Sequence, residues 1–383
     1  MPHLAQPLGW GMPRALALNK LKTTPGGIMP TRLDDALIHQ NYGTLEQVVD
    51  TDPRWFDRFY FDLQAIDGSL SIAQGIGVYP NMGVMDGFSL FCLPDKQVNV
   101  RASRELVNGN RDEMDVGPIH AEILVPMKSW RFWLEENAQG ATYDFTYTSD
   151  FKALDPLRLI SDFEGRRVWD WTHFGHVGRV EGWAKLDGKT YELKPDTHYA
   201  IRDRSWGVRP GVAVIEDTTA WFRQANWGTR YNWCCVQLES FYLWYFLAHE
   251  TDGTPRYFEG LIRWADSHGG HQEKVVKLDR KLDFAEGEHF LNAAVDVHLL
   301  SGKVLHVNMK RLDTSIRLRG GNYGGYKGLI HGMKQGPLAI DGERWEPADN
   351  RVLPVTAGIT EHVVEVTCGD ERGCGIFEIP YGS

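Results

Sequence analysis

The sequence predicts an all-β fold, and three observations carry that prediction. Apolar residues recur at every second position through short segments, turn signals punctuate the intervals, and long amphipathic helices are absent after about residue 60. Many strands, regular turns and few helices indicate sandwiches or barrels.

The elements follow in chain order. Residues 1–54 read as an irregular lead-in, in which TTPGGIMP is turn chemistry and TRLDDALIHQ suggests a short helix opened by Thr31 or nearby. From Trp55 onward the alternation begins. SWRFWLE sets Trp130, Phe132 and Leu134 in phase, and ATYDFTYTSD sets Tyr143, Phe145 and Tyr147 opposite Thr142, Asp144, Thr146 and Thr148. Further on, VKLDRKLDF places Val276, Leu278, Leu282 and Phe284 opposite Lys277, Asp279, Lys281 and Asp283. GKVLHVNMK places Leu305, Val307 and Met309 opposite His306 and Asn308. A sheet with one wet face requires this period of two, and a helix cannot use it. The turns between are LDGK (186–189), TDGT (251–254), LSGK (300–303) and GDERG near the end.

VEGWAKLDGKTYEL (180–193) and VDVHLLSGKVLHV (295–307) share a strand, Gly-Lys turn, strand pattern, a weak echo of duplication. A boundary just after RDRSWGVRPG divides the chain into 55–209 and 210–383, each the size of one barrel.

Composition excludes several classes. The net charge is −10 with no basic tract, which argues against a nucleic-acid partner. No apolar run reaches membrane-spanning length, and MPHLAQPLGWGMPRALALNK lacks the layout of a secretory signal. The five cysteines are odd in number and match no usual zinc spacing, so a reduced, cytoplasmic protein is expected. No metal or cofactor is expected either: HGGH (268–271) reads as a turn, GGNYGGYKG lacks the Lys-Ser pair of a phosphate loop, and no G-x-S-x-G elbow occurs. Vicinal Cys234 and Cys235 read as core filling. Aromatic residues are abundant, with 14 Trp, 14 Tyr and 17 Phe. They suit large β cores or a cavity with flat apolar walls.

One run stands apart, HYAIRDRSWGVRP (198–210). On a strand, Arg202 and Arg204 point to one face while Asp203 and Ser205 point to the other. Buried charges of this kind persist only where partners are fixed. The run is therefore either a polar pin between domains or the mouth of a pocket bearing Asp203 and Trp206.

HYAIRDRSWGVR resembles the G-H-R-D-[HR]-S-W-G-x-R signature of tandem lipocalin-like proteins related to carotenoid 1,2-hydratase (hydroxyneurosporene synthase) and the AttH-type proteins, with Ala200-Ile201 where relatives often carry Gly-His. DVGPIHAEILVPMKSWRFWLE, THFGHVGRVEGWAKLDGKTYEL, GGNYGGYKGLIHGMKQGPLAIDGERWE and GCGIFEIPY are similar to other segments of that group, so the likeness runs from about residue 55 to 383. The nearer relatives it suggests are uncharacterised bacterial members. The resemblance implies two lipocalin-like barrels side by side, with a pocket in or between them. It also implies chemistry of the hydratase, cyclase or pericyclic kind on isoprenoids or polyketides.

Such chemistry on an alkene begins with proton delivery by a neutral acid or an imidazolium, and aromatic faces stabilise the resulting cation. His173, flanked by Trp169, Trp171 and Phe174, is one candidate shuttle. Glu239 is another, since alternation places it with Trp233, Cys235, Gln237 and Phe241 in the most aromatic run of the chain. Asp203, beside arginines, is expected to orient a partner or accept a proton. Arg202, Trp171, Trp206, Trp227, Tyr231, Trp233 and Trp244 are the expected substrate-binding residues. The expected function is cofactor-independent acid–base catalysis (hydration or dehydration, isomerisation, cyclisation) on a hydrophobic isoprenoid, steroid-like or polyketide molecule. The competing readings are a non-catalytic carrier or sensor of a hydrophobic ligand, and a structural interaction protein.

Overall fold

The computed structural model of the protein describes residues 37, 42–107, 110–163, 165–213, 230–249, 255–285, 290–346 and 359–380. The lead-in helix expected near Thr31 and the TDGT turn lie outside them.

The described residues are almost all strand or turn. The first half contributes β1 (Trp55–Ala65), β2 (Ser71–Tyr79), β3 (Val84–Cys92), β4 (Gln97–Glu105), β5 (Asp115–Val116) and β6 (Ile119–Val125). It continues with β7 (Ser129–Leu134), β8 (Ala141–Thr148), β9 (Leu157–Phe163), β10 (Arg166–Leu186), β11 (Lys189–Leu193) and β12 (His198–Val208). The second half contributes β13 (Arg230–Gln237), β14 (Phe241–His249), β15 (Pro255–Trp264), β16 (Gln272–Phe284) and β17 (Phe290–Leu299). After these come β18 (Val304–Arg317), β19 (Leu338–Trp345), β20 (Ile359–Cys368) and β21 (Glu371–Pro380). The all-β, two-barrel expectation holds.

The two bodies close differently. β13 through β18, with β20 and β21, form a closed eight-stranded barrel. The first sheet runs β19-β4-β3-β2-β1-β12-β10-β8-β7-β6-β5, with β9 and β11 paired onto β10. It curls on itself, so that β5 and β6 come back against β3. One strand crosses between the halves: β19 pairs with β4 from Leu338↔Arg104 to Trp345↔Gln97.

Alternation decides what fills each body. Phe59, Phe61 and Leu63 of β1 point inward with Phe132, Tyr143, Phe145 and Tyr147, and the rings of Phe61 and Phe132 stack at 4.1 Å. Burying one such ring is worth about 1.5–3 kcal/mol. In the second barrel Cys234, Val236, Leu243, Tyr245, Val295, Val307 and Phe377 point inward. Cys235, one residue on, therefore points outward, into a cluster with Val177, Ile201, Trp244 and Ile376 that joins the two bodies. The vicinal cysteines are thus buried on opposite faces of one strand, and neither is in a disulfide.

The alternation expected for VKLDRKLDF fails at its ends. Val275 is buried, Val276 is exposed, and the β16–β17 register shifts between Val275 and Lys277. A bulge of this kind inserts one residue and reverses the phase on either side of it. Phe284, at the far end after a second shift, is also exposed.

Candidate active site between the two barrels

The outward faces of the two bodies enclose a cavity of about 360 Å³, within the usual range for small-molecule sites. β1 contributes Arg58 and Tyr60, β10 contributes Trp169, Trp171 and His173, and β12 contributes Asp203 and Ser205. Register makes this one wall: Tyr60 lies opposite Asp203 and Arg58 opposite Ser205, while His173 lies opposite Ser205 on the other side. The second barrel answers with Tyr231, Trp233, Trp244, Phe246, Glu361 and Glu378. Glu361 and Glu378 are cross-strand partners, and Glu378 in turn faces Trp233. Arg209, Tyr323 and His331 come from connecting segments and complete the lining.

Acids gather at the floor. Glu361 is 2% exposed and accepts a hydrogen bond from the Tyr60 hydroxyl. Burial first, then the neighbouring Asp62 and Glu378, holds its carboxyl well above the usual carboxylate range. Asp62, fully buried behind it, is raised by the same desolvation against the hydrogen bond it receives from Gln64. Burial pushes Glu378 up to about 7, helped by Asp203 and opposed by the Tyr231 hydroxyl and Arg209. Carboxyl groups packed this closely do not all ionise, so the floor holds protons at neutral pH.

Two histidines line the cavity. Burial, followed by the field of Arg58, lowers His331 to about 4, although Asp86 stands 3.6 Å from its Nδ1. His173 is 5% exposed and sits between indoles, 4.8 Å from the ring of Trp171 and 4.8 Å from that of Trp244. Its Nδ1 lies 3.5 Å from Oδ1 of Asp203.

Of the residues singled out in the sequence, the structure brings His173, Asp203, Trp171, Tyr231, Trp233 and Trp244 to the cavity wall. Arg202 turns the other way, as strand alternation required. It is buried in the first body over the ring of Trp130 at 4.9 Å, with Nη2 3.2 Å from Nδ1 of His176. Trp206 is only partly buried, meets the ring of Phe174 edge-on at 6.3 Å and does not line the cavity. Trp227 lies outside the described residues. Glu239 does not reach the site. β13 ends at Gln237, so Glu239 falls in the turn to β14 with its side chain 86% exposed, 3.8 Å from Arg179. The expectation of a desolvated carboxyl passes from it to Glu361 and Glu378.

Glu361, Glu378, Tyr60, Arg58, Arg209 and His331 were missed by sequence reasoning. A signal existed: RFYFDLQAI places Arg58 and Asp62, and GIFEIPY places Glu378, within aromatic strands. Outward-facing charges look like solvated ones until a second body covers them.

The sequence profile of a family of unknown function, DUF8625, matches residues 30–381. The chain belongs to this family. Among curated proteins, none matches the DUF8625 chain. An AttH-like protein from Nitrosomonas europaea is 12% identical over 94% of this chain and 98% of its own, with a TM-score of 0.51, and shares the fold. Kievitone hydratase from Nectria haematococca is 10% identical over 85% of this chain and 89% of its own, with a TM-score of 0.42. CghA is 11% identical over 86% and 88%, with a TM-score of 0.43. The strand order of the DUF8625 chain itself gives the tandem arrangement, one closed eight-stranded barrel beside one curled sheet. None of its described helices is long and apolar enough to cross a membrane. Among its described residues no group of three or more His, Cys, Asp or Glu is placed to hold a metal ion.

Proposed function

We propose that this DUF8625 protein is a cytoplasmic acid–base catalyst that encloses an apolar isoprenoid, steroid-like or polyketide molecule between its barrels. The reading rests on one observation: a carboxyl group held protonated by burial, Glu361, stands at the floor of a cavity walled by indoles. A neutral carboxyl poised beside an alkene is what hydration, isomerisation and cyclisation all need first.

In this mechanism the Glu361 proton passes to an alkene carbon. The π pair forms the new C–H bond and leaves a cation on the adjacent carbon. Trp171, Trp233 and Trp244 present their faces to that charge. His173 then takes a proton, either from water adding to the cation or from a neighbouring C–H bond whose electrons restore an alkene. Asp203 faces the imidazolium so formed. The proton taken by His173 is released to solvent and Glu361 is reprotonated from solvent, so the protein ends as it began. The Tyr60 hydroxyl holds the Glu361 carboxylate by its hydrogen bond in between, and no cofactor takes part.

The test is solvent exchange. The apolar molecule that copurifies with the protein is incubated with it in heavy water and followed by mass spectrometry. The wild type is expected to place deuterium on carbon, and Glu361→Gln is expected to leave the ligand unlabelled while still binding it. A wild type that returns its ligand unlabelled is a carrier, and the catalytic reading is then abandoned.

A further inference from the structure

Arg58 is the least expected side chain in the cavity. It is 3% exposed, yet its Nε, Nη1 and Nη2 all lack a hydrogen-bond partner. Its guanidinium lies 5.0 Å from the ring of Tyr323 and 5.8 Å from that of Phe88. Arg209 repeats the pattern nearby: its Nε is likewise unpartnered, and its guanidinium lies 4.9 Å from the ring of Phe56 and 6.0 Å from that of Tyr323. The ring of Tyr323 is shared by both cations, and both line the cavity.

Asp86 and Asp203 act on Arg58 through space without hydrogen-bonding it. Asp86 accepts from the Tyr79 hydroxyl at 3.1 Å and from the Gly332 N–H at 2.7 Å, and it also faces His331. Asp203 stands 3.5 Å from Nδ1 of His173, and its Oδ1 accepts no hydrogen bond. The Arg58 guanidinium is therefore held in a dry site with its donors unused, and Arg209 adds an unused Nε, an arrangement that is costly in the empty protein. The cost is recovered when an anion enters.

We propose that Arg58 and Arg209 form a carboxylate-binding subsite, so that the apolar molecule this cavity takes is an acid with its charged end at the guanidinium pair. The subsite names the substrate class of the reading above and rests on it only for the chemistry at the other end. Three features select a carboxylate. A guanidinium fork matches the two oxygens of a planar carboxylate. Asp86 and Asp203, already in the field of Arg58, leave too little positive charge to balance a phosphate dianion. The indoles between the two ends accept an apolar body. The geometry also fixes orientation: with its carboxylate at Arg58, the ligand extends its hydrocarbon toward Glu361 and His173.

Pyrenebutyrate, its neutral partner pyrenebutanol and pyrenebutyl phosphate serve as probes near neutral pH, with tryptophan-to-pyrene energy transfer as the readout. The wild type is expected to bind pyrenebutyrate at least roughly tenfold tighter than pyrenebutanol, the size of one charge-assisted contact pair. Arg58→Met is expected to collapse that gap while the ligand-free variant melts no lower than the wild type, because an unpaired buried charge has been removed. Arg209→Met carries the same comparison should the first variant fail to fold. Glu361→Gln is expected to keep the preference. Equal affinities in the wild type, no binding of either probe, or a preference undiminished in both arginine variants overturns the subsite. Tighter binding of the phosphate overturns the carboxylate class. These outcomes are separate from the solvent-exchange test: loss of acid preference leaves proton transfer from Glu361 standing, and labelling that persists in Glu361→Gln leaves the subsite standing.

Discussion

Glu361 and Glu378 sit side by side on adjacent strands with different surroundings, and the difference separates their expected behaviour. Glu361 is raised by burial and by neighbouring Asp62, whereas Tyr231 and Arg209 act against the rise at Glu378, which reaches only about 7. Glu361→Gln should lower turnover by about 10²–10⁴-fold, the range for loss of a general acid. Tyr60→Phe should lower it less, because the Glu361 carboxylate loses one hydrogen bond but the donor stays. Glu378 also makes stability depend on pH. Its folded value lies above the ordinary 4.5, so the folded state binds the proton more tightly. Its contribution is intact below about pH 4.5 and is lost as pH rises to about 7 and beyond, on the order of 3 kcal/mol before screening. Glu378→Gln should therefore gain stability over the wild type between pH 5 and pH 8, as parallel denaturant titrations would show. His331, lowered to about 4, works in the opposite direction. Its stabilisation is present above the ordinary value of 6.5 and falls away as pH drops toward 4. At this scale the sequence was partly legible. The opposite facing of Arg202 and Asp203 follows from strand geometry alone. The burial of Glu361 does not, because it depends on a second body approaching from outside the strand.

Strand β21 shows how local composition closes a barrel. A Cβ added at Gly375 would lie 2.3 Å from the Cys235 carbonyl oxygen and 2.6 Å from the Val236 Cα. Both are backbone atoms of the neighbouring strand and cannot step aside. Gly375→Ala should therefore destabilise by roughly 1–3 kcal/mol or more through overpacking, seen as a lowered midpoint in thermal circular dichroism. Most strands could be read from alternation: Trp130, Phe132 and Leu134 are buried as their period implies, as are Leu305, Val307 and Met309. β16 could not, because a bulge is set by cross-strand pairing, which one strand's own pattern does not carry. Two of the turns could be read too. Asp187 and Gly188 both adopt positive φ between β10 and β11, and Gly302 does so between β17 and β18.

For the whole molecule, the decisive contact is between bodies. Val177 and Ile201 of the first pack against Cys235, Trp244 and Ile376 of the second, all buried. An apolar contact of this kind couples the barrels, so the wild type should unfold in one transition with coincident circular dichroism and tryptophan signals. Ile376→Asp buries a charge in that contact and should split the curve into two. The division at about residue 210 remains our proposal for the two folding units, with β19 as an exchange across it. The all-β class and the tandem arrangement could be read from pattern and resemblance. The position of the cavity could not, because it is made by two outer faces and belongs to neither body alone.

The exchanged strand has a consequence for how the polypeptide is made. β19 is tied to β4 by Glu343 and Asp341, which both hold Arg101, and by Glu343 to Asn99. On the ribosome, β4 emerges more than two hundred residues before its partner. Throughout that interval its backbone groups on that side are open to any passing extended segment. A nascent chain stalled before residue 338 should therefore be a far better client for trigger-factor-like holdases than one stalled just after residue 345. Vectorial synthesis leaves this protein's earliest-made half waiting for a strand from its last quarter.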